Sequence, residues 1–69
     1  MFQIGDLVRC VDDGEESGYN NPPIGTIGVV TTDSHPVAGR MYCHVSWFID
    51  GEWERDYMEE EIEHVVPEG

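Results

Sequence analysis

Apolar and polar positions alternate along this chain in short runs, separated by clusters of Gly, Pro, Asp and Asn, a pattern of short β-strands joined by turns. The first run, IGDLVRCV at residues 4–11, opens on a Gly-Asp turn and then points Val8 and Cys10 inward and Arg9 outward. Residues 11–25, VDDGEESGYNNPPIG, are rich in turn formers and charge and predict a long surface loop. GTIGVVTTD, residues 25–33, predicts the second strand. Gly28 inside its β-branched run predicts a bulge that turns both Ile27 and Val30 toward the core. SHPVAGR, residues 34–40, reads as another loop, and MYCHVSWF, residues 41–48, as the third strand with Met41, Cys43, Val45 and Trp47 on one face. Asp50-Gly51 is a two-residue hairpin signal leading into EWERDYM at residues 52–58. EEEIEHVV, residues 59–66, predicts a helical turn and a last short strand that buries Ile62 and Val65. These features predict an all-β fold in one domain spanning residues 1–69, a small five-stranded barrel that uses both faces of its sheet economically.

Charge changes this picture most. Fifteen acidic residues face three arginines and no lysine, for a formal net charge of −12 and a pI near 4.1. A like pair ~7 Å apart on a wet surface costs about 0.6 kcal/mol before screening, so this excess works against compactness and exceeds what solubility needs. Nucleic acid and anionic membranes both require cationic patches, so direct binding to either is disfavoured and the expected partner is a strongly basic protein surface. A chain of 69 residues also has little room for a large active-site cavity beside a core, which favours a monomeric binding module over an enzyme. No apolar run approaches the roughly 18 residues of a membrane-spanning helix, and MFQIGDLVRC lacks the regions of a signal peptide, so a cytoplasmic location is expected. With 39% hydrophobic residues in regular β patterning, the chain is expected to fold despite its charge.

The order of GDLVRC, a long loop, PPIGTIGVV, a strand ending in VSW, an Asp-Gly turn and RDYMEEEIEHV resembles the SH3-like barrels of the KOW-related and photosystem accessory-subunit type. Those domains share an opening Gly-Asp-x-Val-x-Val strand, a Gly-Thr-Val strand and a closing Tyr or Phe followed by Glu-Leu or Glu-Ile. The resemblance covers nearly the whole chain and implies an SH3-like barrel with a long first loop and a short helical turn before the last strand. It implies little about function, because such barrels bind RNA, ribosomes, peptides and other subunits. Where nucleic-acid-binding members would carry Lys or Arg, this chain is acidic.

Few residues suggest chemistry. The carboxylates sit on segments without apolar surroundings to shift a pKa, so no catalytic residue is assigned. Cys10, Cys43, His35, His44 and His64 are metal-ligand types at the wrong spacing, with Cys43 and His44 on opposite strand faces. Glu59, Glu60 and Glu61 lack the ligand loop of a calcium-binding hand. No metal or cofactor is expected, and the two cysteines read as free, buried thiols. Trp47 and Tyr57 fit core positions; Tyr19 and Trp53 are candidate aromatic anchors for a partner. Phe48 and Ile49 either close the barrel end or stay partly exposed.

Two acidic clusters remain. One is Asp12, Asp13, Glu15 and Glu16 in the long loop; the other runs from Asp50 through Glu52, Glu54, Asp56, Glu59, Glu60 and Glu61 to Glu63. Asp50, Glu52, Glu54 and Asp56 alternate with Gly51, Trp53, Arg55 and Tyr57, so a strand there would send four carboxylates to one face. Carboxylates at i and i+2 lie about 6.6 to 6.8 Å apart along a strand, close to two steps of the ~3.4 Å phosphate interval of one DNA strand. The chain is therefore read as a DNA mimic that competes for a nucleic-acid-binding surface; the plainer alternative is a solvated face that keeps a small protein soluble. In size, charge and compact β patterning it resembles the host-takeover inhibitors of bacteriophages, some of which imitate DNA. That resemblance would put it in the host cytoplasm. A histone-like nucleoid protein of the HU type is the first-choice partner, since backbone contacts dominate its affinity for DNA. The alternative is an accessory or adaptor subunit that binds through Trp53, Tyr19 and a barrel edge.

Overall fold

A computed structural model describes residues 1–14, 18, 20–51 and 53–66. It contains β1 (Leu7–Cys10), β2 (Ile27–Val30), β3 (His35–Val37), β4 (Arg40–Trp47), β5 (Arg55–Met58), a 3-10 turn η1 (Glu59–Glu61) and β6 (Ile62–His64). All pairings are antiparallel and join into one sheet curled into a half-barrel. β1 lies between β2 and β6, β2 pairs with β4, and β5 pairs with the opposite side of β4. The Thr31 N–H donates to the His44 carbonyl and the His44 N–H to Thr32 Oγ1, so β2, this bridge and β3 follow one another along a single edge of β4.

Strand alternation places the core. Val8, Cys10, Val30, Cys43, Val45 and Tyr57 are at most 1% exposed, and Phe2, Trp47 and Ile62 join them. Each fully buried aliphatic side chain contributes roughly 1.5 to 3 kcal/mol. Trp47 and Tyr57 meet edge to face at 5.4 Å between ring centroids. At one end of the core Phe2 stacks on His64 and is held by exchange of backbone and side-chain bonds with Ser34.

Three expectations are corrected. Gly28 makes no bulge: β2 pairs without interruption on both sides, Gly28 and Val30 face the core, and Ile27 faces outward. The glycine is required by close approach instead, since a Cβ there would lie 2.7 Å from both the Ser46 carbonyl oxygen and Trp47 Cε3. Residues 34–40 form a hairpin rather than a loop. Ala38 and Gly39, with φ of 51° and 83°, make the two-residue turn between β3 and β4, its primed geometry matching the right-handed twist of the strands. This adds a sixth strand to the five expected.

The third correction concerns residues 50–56. No two-residue hairpin closes at Asp50-Gly51: β4 ends at Trp47 and β5 begins at Arg55. Trp53 folds back so that its Nε1 donates to the Asp50 carbonyl at 3.1 Å, and its ring covers Gly51, whose φ of 131° suits glycine. Among the described residues, no helix is long and apolar enough to cross a membrane.

Candidate functional site

The acidic residues do not form one array. Glu15, Glu16, Tyr19 and Glu52 lie outside the described residues. Asp50 and Glu54 sit in the connection before β5, and only Asp56 of the expected alternating row belongs to a strand. A ruled strand of carboxylates at constant spacing is therefore absent from the described residues, where the chain bends at 48–51 and Trp53 bonds back to the Asp50 carbonyl.

Several carboxylates are engaged within the fold. Arg9 Nε donates to Glu63 Oε1 at 2.7 Å, Ser46 Oγ to Glu54 Oε1 at 2.8 Å, and Ser34 Oγ to Glu59 Oε2 at 2.7 Å. The Asp12 carboxylate accepts the Gly14 N–H at 2.8 Å, and His35 approaches Asp56 at 3.6 Å. Asp6 accepts the Gln3 N–H and faces His64, which together hold its carboxyl below the ordinary value of 3.8. Asp12, Asp13, Asp50, Glu54, Asp56, Glu60 and Glu63 keep exposed positions, and Glu59 is half-buried.

Glu61 is not a surface residue at all. It is 6% exposed; its Oε1 accepts the Met58 N–H at 3.0 Å, and its Oε2 accepts from Asn21 Nδ2. Asn21, equally buried, also donates to the Asp12 carbonyl and accepts from Arg55 Nη2 at 3.0 Å. The Arg55 guanidinium lies 5.3 Å from the Tyr57 ring centre and bonds the Asn20 carbonyl. Arg55 thus points to the core side and ties the long loop to β5. A cleft of about 280 Å3 follows this edge, lined by Asn21, Tyr42, Arg55, Asp56, Met58 and Glu61. Its deepest polar groups already satisfy one another, so it serves as the seat of the loop. One signal of this network is visible among the residues alone: Arg55 is the sole cation between Asp50 and Glu63.

Trp53, a candidate aromatic anchor, is half-buried and packs against the core. Phe48 and Ile49, by contrast, remain 60% and 42% exposed. Both cysteines are free and buried; burial pushes the Cys10 thiol up and the Cys43 thiol up to about 11. Among the described residues, no three of His, Cys, Asp and Glu converge as metal ligands.

Compared with protein-family models, curated proteins and solved structures, the chain matches none.

Proposed function

We propose that this chain is a non-catalytic binding module whose partner is a cationic protein surface, first of all the DNA-binding surface of a histone-like nucleoid protein of the HU type. The observation that carries this reading is unneutralised negative charge: of three arginines, Arg9 is paired with Glu63 and Arg55 is drawn beneath the long loop, against fifteen acids. The strand order, the long first loop and the 3-10 turn before the last strand support an SH3-like barrel as the scaffold.

In this role the chain occupies a basic surface in place of DNA. Lysines and arginines that would neutralise phosphates pair with carboxylates, association is steered electrostatically, and affinity falls with salt. The decoy presents exposed loop and edge carboxylates, Asp12, Asp13, Asp50, Glu54, Asp56 and Glu60 among them, rather than a ruled strand. Host-takeover inhibition is the biological setting this chemistry suits.

The test is displacement of a fluorescent DNA duplex from an HU-type protein at low salt, with the six residues just named replaced by Asn or Gln as the comparison. The expected result is displacement by the parent, weakened steeply between 50 and 200 mM salt as about six phosphate-like contacts would require, and lost in the variant. Equal displacement by both chains, or none at low salt, refutes the decoy.

A second reading, an accessory or adaptor subunit, is favoured by a separate observation: the outward side of the sheet carries exposed apolar residues, including Phe48 and Leu7.

A further inference from the structure

The side of the sheet opposite the core follows directly from the pairing register. Val8, Cys10, Gly28, Val30, Cys43, Val45 and Trp47 face inward, so Leu7, Arg9, Ile27, Val29 and Ser46 face outward. Two flanking residues extend the register: the Phe48 N–H donates to the Ile27 carbonyl at 2.9 Å, and the Val65 N–H to the Leu7 carbonyl at 3.0 Å. Across neighbouring strands the outer side therefore presents two rows. One is Phe48, Ile27, Arg9 and Glu63; the other is Ser46, Val29, Leu7 and Val65.

Five apolar side chains, Leu7, Ile27, Val29, Phe48 and Val65, thus adjoin on one face. Phe48 is 60% and Leu7 47% exposed, while Ile27, Val29 and Val65 are half-buried. Among the described residues there is no second sheet and no α-helix to cover this face, although a sheet's apolar face ordinarily buries itself against a second layer. Charge borders it on two sides. Glu54, bonded to Ser46, and Asp56, opposite His44, lie toward β5; Glu63 lies toward β6. The only cation of these rows, Arg9, is paired with Glu63.

We infer that this outer face docks an amphipathic helix whose apolar stripe is flanked by lysines or arginines. The inference rests on the reading that the partner is cationic, and adds where and how it binds. Its dimensions agree: followed along the curled outer surface, strands about 4.8 Å apart put β5 about 19 Å from β6 across β4, β2 and β1. A helix about 10 to 12 Å wide laid along β1 and β2 covers the apolar centre and leaves its flanking cations within side-chain reach of Glu54 and Asp56 on one side and, on the other, of Glu63, for which they would compete with Arg9. A second copy of the chain is a poor occupant, since each carries −12 and would set carboxylates against carboxylates.

The test uses the full chain and three synthetic peptides of about 18 residues, about 27 Å long as helices. The first places leucines on one face with lysines beside them, the second scrambles that order, and the third is polylysine. Amide chemical shifts at 0.15 M salt are expected to move at residues 7, 27, 29, 48 and 65 with the first peptide, and its affinity to exceed that of the scrambled peptide at least tenfold. Phe48→Ser with Leu7→Ser is expected to lose that tenfold advantage while urea unfolding confirms that the variant is folded. Glu54→Gln with Glu63→Gln is expected to flatten the salt dependence, and serves as a second perturbation if the serine variant unfolds. Equal affinity for all three peptides, with shifts confined to the loops, overturns the docking face but leaves a cationic partner standing. Absence of binding to any peptide, polylysine included, at 0.02 M salt overturns both. Sedimentation showing a dimer at 0.15 M salt and pH 7 that Phe48→Ser dissociates overturns the inference in favour of self-association.

Discussion

Replacing Gly28 by Ala measures how tightly the centre of the sheet is closed. Gly28 lies in the regular part of β2, opposite both Val8 and Trp47, without the positive φ that would itself demand glycine. A bare strand glycine with open space above it would gain about 0.5 to 1 kcal/mol on becoming alanine, because the unfolded chain loses freedom. Here the added methyl would sit 2.7 Å from the Ser46 carbonyl oxygen, 2.7 Å from Trp47 Cε3 and 3.0 Å from Val45 Cγ1. The first of these is backbone held in the β2–β4 ladder, and the second belongs to a buried indole, so neither gives way cheaply. Overpacking of this kind costs about 1 to 3 kcal/mol, here about 2 to 3 because two atoms lie at 2.7 Å, so setting an entropic gain of about 1 kcal/mol against it leaves a net loss of about 1 to 2 kcal/mol. For 69 residues an unfolding entropy of ~145 cal/mol/K turns that into a fall in Tm of about 7 to 14 °C. Urea and thermal unfolding followed by circular dichroism measure it. In a Trp47→Leu background the loss should shrink, since one of the two closest atoms is gone, while the contact with the Ser46 carbonyl remains. If Gly28→Ala is neutral or stabilising, the close approach of β2 and β4 described above is wrong.

Other outcomes follow from the same geometry. Glu61→Ala strips acceptors from the buried Asn21 amide and the Met58 N–H and is expected to cost about 1 to 3 kcal/mol in urea unfolding, whereas Glu60→Ala at the neighbouring exposed position should stay within about 0.5 kcal/mol. Ala38→Asn, which gives the β3–β4 turn the Asn-Gly pair that positive φ favours, is expected to raise stability by about 0.5 to 1 kcal/mol. In the native state burial holds the Cys10, Cys43 and Tyr57 protons above their ordinary values of 9.0, 9.0 and 10.0. The folded state therefore binds more protons than the unfolded one in alkali, and stability that is complete below pH 9 should decline as pH rises from 9 toward 11; thiol labelling at pH 8 should be slow until urea unfolds the chain. Adjusting the pH toward the pI of 4.1 removes the repulsion that keeps outer faces apart, so sedimentation should show association there that Phe48→Ser reduces; a parent chain that stays monomeric at its pI contradicts this.

What could be read from the residues alone depended on whether one local pattern had competitors. Val8 and Cys10 in LVRC, and Cys43, Val45 and Trp47 in MYCHVSW, alternate cleanly, and the period alone placed them inside. The turn of three glutamates followed by buried Ile62 was equally plain. Gly28 was ambiguous, since glycine in a strand marks either a bulge or a close approach, and only the position of Trp47 across the sheet decides. The β3–β4 hairpin escaped because its turn places Ala38, a residue with no preference for positive φ, where Asn or Gly would have announced it. The alternation at 50–57 misled for a different reason. Its period is real, and Arg55 and Tyr57 do share the core side, but the indole of Trp53 bonds locally to Asp50 and shortens the strand to four residues. Burial of Asn21 and Glu61 depends on contacts 34 and 40 residues apart in sequence, which no window of neighbouring residues contains.

The two unusual features of the surface explain each other. A sheet face bearing Phe48, Leu7 and Ile27 without a covering layer would ordinarily promote association between copies, and a single ion pair at Arg9–Glu63 does little to prevent it. Twelve surplus negative charges oppose it, because a face-to-face pair of chains would set the acidic borders of one, with Glu54, Asp56 and Glu63, against those of the other. The same charge that repels a copy attracts a cation, so in the proposed complex discrimination would arise from sign while the apolar centre would supply affinity that salt does not screen. An acid excess serving solubility alone would need no apolar face, and an apolar face serving a neutral partner would need no such excess. Their coincidence on one small sheet is the ground on which we propose a partner that is both basic and amphipathic.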